Sequence, residues 1–184
     1  LNIPGAYHHK AIRSGQPHEL IVDSLTQYQG TAKADTVMWP HRYNDDKQPG
    51  IAEDLSSDFA MVITQKMNLS KADYYATMGT SKAIFSCALH ENLGISVMEA
   101  VLTGAIPIVP DRCSYTEMYL PEFKYPSEWT EVDQFDSHRD QLVEFINTRL
   151  DNFADYQDLI KQQQQILIKD YLSSSTMINT LLGT

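Results

Sequence analysis

The chain has 184 residues, 42 % of them hydrophobic and 21 % charged, which is typical of a water-soluble globular domain. Its formal net charge is −10. Sequence-independent binding of nucleic acid needs a basic surface, so we expect no direct nucleic-acid binding by this domain. No apolar run approaches the ~20 residues of a membrane span, and two cysteines are too few for a disulfide framework, so we expect a reduced, cytoplasmic protein without a transmembrane segment.

The first part of the chain is rich in turn-forming residues. Proline and glycine recur through residues 1–33, where only Leu20–Leu25 has the pattern of a short helix or strand. We interpret residues 1–33 as an interdomain crossover or linker region and residues 34–184 as a folded domain.

Apolar strands and helices then alternate along the chain. The predicted strands are Asp35–His41, Phe59–Thr64, Lys82–Ala88 and Ala105–Pro110. The predicted helices are Pro49–Ser57, Ser70–Gly79 and Asn92–Thr103, with Ser70 and Asn92 as N-caps and Gly79 and Gly104 at the ends. This alternation predicts an α/β fold with a Rossmann-like parallel sheet flanked by helices. From about Asp136 the pattern is helical to the end, with a break near Asp151–Asn152, which predicts a C-terminal helical tail.

Ligands of such open sheets bind beyond the carboxyl ends of the strands. The loops Pro40–Lys47, Ala88–Gly94 and Pro110–Thr116 are therefore where we look for chemistry. In the second loop, Gly94 opens the first turn of the next helix and lets a ligand approach the backbone closely. The amides of Gly94, Ile95 and Ser96 and the helix dipole together predict an anion site.

Two carboxylates accompany this helix. Glu91 precedes it and Glu99 follows eight residues later, roughly 12 Å along a helix axis. That is the span of a nucleotide sugar from ribose to hexose, and each carboxylate could accept hydrogen bonds from sugar hydroxyls. The alternative interpretation is an exposed helix with two incidental glutamates.

The loop after the first strand carries two cations, Arg42 and Lys47. A bidentate guanidinium and a mobile ammonium suit a diphosphate. The alternative is a solvated loop in which both cations form ion pairs with Asp45 and Asp46.

Other sites find less support. His90 and Glu91 begin a zinc-protease pattern, but Gly94 stands where its second histidine belongs. The remaining histidines, including His8, His9 and His18, have no ligand spacing, so we expect no metal site. The sequence contains neither a Walker phosphate loop nor a G-x-G-x-x-G element, so kinase and dinucleotide-dependent activities are disfavoured.

Arg42, Lys47, Glu91 and Glu99, in this order and context, resemble the retaining family 4 glycosyltransferases of the GT-B fold, bacterial or phage type. The resemblance covers about residues 34–125, in the segments WPHRYNDDKQP, SKAIFSCALHENLGISVMEA and PDRCSYTEMY. This chain departs from the family pattern at three places. The stretch Gln48–Lys82 is short for the family. His41 replaces the usual glycine before the arginine, and the residues from Cys113 to Tyr115 replace paired glycines.

The resemblance implies a nucleotide-sugar-binding domain, residues 34–184, that transfers a sugar from a UDP or GDP donor with retention. It implies catalytic roles for Arg42 and Lys47 on the diphosphate and for Glu91 on the transferred sugar, with Glu99 on the ribose. The helix amides of residues 94–96 would bind the diphosphate without a metal ion, and no cofactor is expected beyond the donor. We also expect a missing N-terminal domain to bind the acceptor.

Two alternatives stay open. One is a sugar-nucleotide epimerase built on the same fold, and the other is a non-catalytic nucleotide-sugar-binding subunit.

Overall fold

The computed structural model describes residues 19–182. The strands are β1 (Ala34–Trp39), β2 (Ala60–Ile63), β3 (Ser81–Phe85), β4 (Ile106–Pro110) and β5 (Lys124–Tyr125). The α-helices are α1 (Glu19–Leu25), α2 (Pro49–Asp54), α3 (Lys71–Thr80), α4 (Ile95–Leu102), α5 (Tyr115–Met118), α6 (Phe135–Asp151), α7 (Gln157–Ile166) and α8 (Ser174–Leu182).

The strands form one five-stranded sheet in the order β2-β1-β3-β4-β5, and every neighbouring pair is parallel. The register places Met38 beside Ile84, and Ile84 beside Pro107. The predicted Rossmann-like α/β fold with a parallel sheet flanked by helices is therefore confirmed. The predicted strand boundaries were too generous, since β1 ends at Trp39 and leaves His41 in the following loop.

Both faces of the sheet are buried, as the continuous apolar strands predict. One face, with Val37 and Phe85, packs against α2, α6 and α7. The opposite face, with Met38 and Ile84, packs against α1, α3, α4 and α5. Alternate side chains of one strand thus pack into two separate hydrophobic cores, one on each face of the sheet. Packing on both faces fixes the positions of the strand ends.

The ends of α3 test the helix signals in the sequence. Ser70 is the N-cap as predicted, because its hydroxyl accepts the amide of Asp73 at 3.1 Å. Gly79 was predicted to end this helix, but the helix continues to Thr80. Gly79 instead allows close packing, since a Cβ there would lie 3.0 Å from the Cβ of Tyr28.

The C-terminal part is helical with the predicted interruption, because α6 ends at Asp151. The helix α7 continues as a π-helical turn over Leu167–Tyr171, and α8 follows. None of the helices within residues 19–182 combines the length and apolar character that crossing a membrane requires.

The segment before β1 contains α1, whose Leu25 is fully buried beside α4. Residues 1–18 of the predicted crossover lie outside the described residues. The division at residue 33 stays a prediction.

Candidate functional site

The loops that follow β1, β3 and β4 meet at the carboxyl edge of the sheet. Because β3 lies between β1 and β4, its loop is flanked by the other two. Contacts between the loops confirm this proximity, since the amide of Leu89 donates to the carbonyl of Asp46 at 2.7 Å. Ser114 also donates its hydroxyl to the carbonyl of Glu91 at 3.2 Å.

Lys47 joins the first loop to the second. Its Nζ lies 3.3 Å from Oε2 of Glu91 and 3.2 Å from Oδ2 of Asp46, and it also donates to the carbonyl of His90. Three acceptors match the three protons of an ammonium group, and the side chain is only 12 % exposed. The structure therefore brings together two predicted site residues that are 44 positions apart.

Arg42 has a different environment although it belongs to the same loop. Its side chain is exposed and forms no ion pair or side-chain hydrogen bond with any residue from 19 to 182. The alternative in which Asp45 and Asp46 neutralise both cations therefore holds for Lys47 with Asp46 but not for Arg42 within the described residues.

Glu91 organises the backbone before α4. Its Oε1 accepts the amides of Asn92 and Gly94, each at 3.1 Å, while Oε2 faces Lys47. The amide of Gly94, predicted to bind an anion, is thus satisfied by a carboxylate of the chain itself. In residues 19–182, the amides of Ile95 and Ser96 find no acceptor, as is usual in the first turn of a helix.

The predicted N-cap of this helix was wrong. Gly94, with φ of 68°, holds that position instead of Asn92, and α4 begins at Ile95. Tyr115 explains the glycine, because its ring carbon Cε1 would lie 2.8 Å from a Cβ at residue 94. Since Glu91 precedes the helix by four residues, the 12 Å estimate from helical rise does not apply to the separation of the two glutamates.

Glu99 lies on α4 with only 8 % of the residue exposed. Its Oε1 accepts the hydroxyl of Tyr75 at 2.8 Å. Burial and this hydrogen bond raise the pKa of Tyr75 to about 12. The interpretation of Glu99 as part of an exposed helix face is therefore wrong, and a ribose contact by this carboxylate stays a prediction.

A buried polar cluster, which the sequence did not predict, lies beneath these loops. His41 Nε2 is 2.9 Å from the hydroxyl oxygen of Ser86, and Tyr115 donates its hydroxyl to the same oxygen at 3.2 Å. Burial lowers the pKa of His41 to about 4, while Glu91 and Asp46 oppose the shift and Lys47 adds to it. Only the replacement of the family's glycine by His41 signals this cluster in the sequence.

The third loop adopts a conformation that glycine normally provides. Cys113 has φ of 52°, in the left-handed region, and its thiol lies 3.4 Å from the carbonyl of Leu89. The residue that replaces the family's glycines thus keeps a glycine-like backbone.

A groove of about 760 Å³ borders the same loops on another side. It has an apolar lining that includes Leu89, Val132 and Phe135, and an acidic rim that includes Asp45 and Asp136. Neither Arg42 nor Glu91 lines this groove.

Residues 19–182 contain no group of three or more His, Cys, Asp or Glu side chains that could hold a metal ion. His8, His9 and His18 lie outside the described residues. The expectation of metal-independent chemistry stays a prediction.

Comparisons with known proteins add to this geometry. No protein-family model matches the chain. The chain is similar to the tRNA-queuosine alpha-mannosyltransferase of Drosophila melanogaster, with 27 % identity over 48 % of this chain and 32 % of that protein.

Two solved structures are similar over most of the chain. The structure of Anabaena HepE (Alr3699) in complex with UDP and glucose has a TM-score of 0.59, 16 % identity, and coverage of 90 % of this chain and 52 % of that chain. The structure of TarM has a TM-score of 0.51, 11 % identity, and coverage of 89 % and 30 %. The chain therefore spans about half the length of HepE and about a third of the other two proteins.

Proposed function

Because the chain has the fold of a GT-B-like glycosyltransferase domain, we propose that it binds a nucleotide-activated sugar and holds the donor's diphosphate during retaining sugar transfer. The observation that carries this proposal is the contact between Lys47 and Glu91 at 3.3 Å. It joins the cationic loop after β1 to the start of α4. The description of HepE in complex with UDP and glucose supports the same ligand class.

The diphosphate would bind to Arg42 and to the first amides of α4. Within residues 19–182, neither the Arg42 side chain nor these amides have a partner. Lys47 would exchange Glu91 for a phosphate oxygen, since its ammonium has three acceptors in the free chain. The released carboxylate of Glu91 would then accept hydroxyl groups of the transferred sugar, and Glu99 would do the same for the ribose.

Cleavage of the glycosidic bond leaves negative charge on the departing diphosphate. We propose that Arg42, Lys47 and the amides of Ile95 and Ser96 offset this charge without a metal ion. In the retaining mechanism that the family resemblance implies, the departing phosphate accepts the proton of the acceptor hydroxyl. A separate general base is then not needed in this domain.

The acceptor would bind to parts of a longer protein outside this chain. The name of the Drosophila relative specifies a tRNA acceptor, and RNA of this kind requires basic surface. This chain has a net charge of −10 and so would contribute the donor site alone. We therefore propose that the 184-residue chain binds donor but transfers no sugar by itself.

Calorimetry with UDP, GDP and their sugars tests donor binding. Arg42→Ala and Lys47→Ala should each weaken binding by roughly 1.5–3 kcal/mol, because each removes a charge-assisted contact. Lys82→Ala is the matched control, because Lys82 pairs with Asp35 at the opposite edge of the sheet and its loss should not change affinity.

Unchanged affinity in both site variants would contradict the diphosphate assignment. Conversion of the donor without an acceptor would identify an epimerase instead. Sugar transfer by this chain alone at enzyme-like turnover would contradict the need for a second domain.

A further inference from the structure

His41 lies in the loop after β1, directly before Arg42, and is only 5 % exposed. Its Nε2 is 2.9 Å from Oγ of Ser86. Two donors already point at this oxygen, the hydroxyl of Tyr115 at 3.2 Å and the amide of Ala88 at 3.4 Å. A serine hydroxyl has one proton, and with its oxygen already accepting, that proton goes to His41. Nε2 is therefore the acceptor.

The state of the imidazole follows from this arrangement. With Nε2 unprotonated, the single proton of the neutral ring lies on Nδ1. Neutrality is consistent with burial, which lowers the pKa of His41 to about 4 against the carboxylates of Glu91 and Asp46. In residues 19–182, no acceptor is found for Nδ1–H.

The charges that act on His41 are those of the candidate site. Glu91, Lys47 and Asp46 all influence its titration, and Lys47 contacts both carboxylates. Nδ1 is not one of the fully buried side-chain atoms that lack a partner in residues 19–182, so a ligand can reach it from the surface. A phosphate oxygen is a strong acceptor and needs no charge on the donor.

We propose that His41 is a donor-binding residue whose Nδ1–H donates a hydrogen bond to an oxygen of the nucleoside diphosphate, and that Ser86 and Tyr115 are positioning residues that fix this tautomer. The proposal rests on the proposed function. The family that the chain resembles has glycine at this position, which offers no side-chain donor. This contact would therefore distinguish the present chain.

Two substitutions separate the two ends of the ring. His41→Gln keeps a polar group near Ser86 but loses the donor at the Nδ1 position. His41→Asn does the reverse, because it keeps an amide donor near the Nδ1 position and loses the contact with Ser86. Calorimetry with UDP and with GDP at pH 7.5 should show about tenfold weaker binding for His41→Gln. His41→Asn should stay within about threefold of the wild type.

The nitrogen NMR spectrum of the imidazole gives a readout independent of affinity. The free chain should show Nδ1 protonated and Nε2 bare, with the Nδ1–H resonance shifting when the nucleotide is added. Ser86→Ala should populate the tautomer protonated on Nε2 and weaken nucleotide binding.

Each outcome decides between the proposals. If the wild type binds a nucleotide and His41→Gln binds it equally well, the role of His41 is wrong and the proposed function stands. A His41 ring that is protonated on Nε2 in the free wild type would also contradict the role of His41 and leave the proposed function standing. If the wild type binds neither UDP nor GDP nor their sugars, both proposals fall.

Discussion

The two edges of the sheet differ although the same strands form both. At the amino edge, Lys33 donates to the carbonyl of Thr103 at 2.9 Å, beside the end of α4, and Lys82 pairs with Asp35. At the carboxyl edge, Arg42 and the Nδ1–H of His41 have no partner within residues 19–182. Donors that lack a partner within the described residues are available to a ligand at the carboxyl edge.

The largest expected effect compares one glycine from each edge. Gly94 and Gly104 both have positive φ, 68° and 89°, but a Cβ at Gly94 would lie 2.8 Å from the ring of Tyr115 and one at Gly104 would touch nothing closer than 3.8 Å. Gly94→Ala should lower the free energy of unfolding by about 2–4 kcal/mol, because the clash adds to the backbone strain. Gly104→Ala should cost only about 1–2 kcal/mol.

Urea unfolding of the two variants measures this difference. Equal losses in the free energy of unfolding would mean that the Tyr115 ring can move away from a Cβ at residue 94 without destabilising the fold. The close packing at the carboxyl edge would then be unimportant for stability.

The next effect concerns pH. The pKa of His41 is about 4 in the folded chain against 6.5 for a free histidine. Between these values the unfolded chain binds the proton more readily, so folding stability falls as the pH falls from 6.5 towards 4. This residue should contribute a loss of about 2 kcal/mol at pH 5 and about 3 kcal/mol when the loss is complete.

Urea unfolding of the wild type and of His41→Gln at pH 7.5 and 5 checks this expectation. The glutamine does not titrate, so the difference between the two proteins isolates the histidine from the carboxylates. A difference that stays constant with pH would show that His41 titrates normally. The neutral ring in the binding proposal would then need another cause.

The smallest effect concerns the backbone strain at Cys113. Its φ of 52° is unfavourable for any residue with a Cβ. Cys113→Gly should raise the free energy of unfolding by about 0.5–1 kcal/mol, since relief of strain exceeds the added chain entropy of glycine. Cys113→Ala keeps the strain and should not raise the midpoint temperature of thermal unfolding. A gain in both variants would attribute the effect to the thiol.

Local patterns in the sequence were enough for most of the fold. The apolar runs predicted β1 to β4 and their parallel pairing, because strands buried on both faces leave a continuous signal. The two-residue strand β5, Lys124–Tyr125, is too short to leave a periodic signal and was not predicted. The N-cap of α4 was misassigned to Asn92, because the packing of Tyr115 against Gly94 decides that position.

The candidate site was predictable only in outline. The sequence predicted that the loops of Lys47 and Glu91 both lie at the carboxyl ends of parallel strands, and the two side chains are 3.3 Å apart. The hydrogen bond between His41 and Ser86 joins residues 45 positions apart, and no local pattern encodes such a pair. The carboxylate of Glu91 on the amide of Gly94 was equally hidden, since the geometry of the loop determines it.

The short strands at the two margins of the sheet affect how copies of the chain meet. One margin is β2, with four residues, and the other is β5, with two residues that include Lys124. Long, uncharged edge strands invite pairing with another chain and lead to aggregation. These margins expose few backbone groups for such pairing, so the sheet should resist growing by strand addition even at high protein concentration.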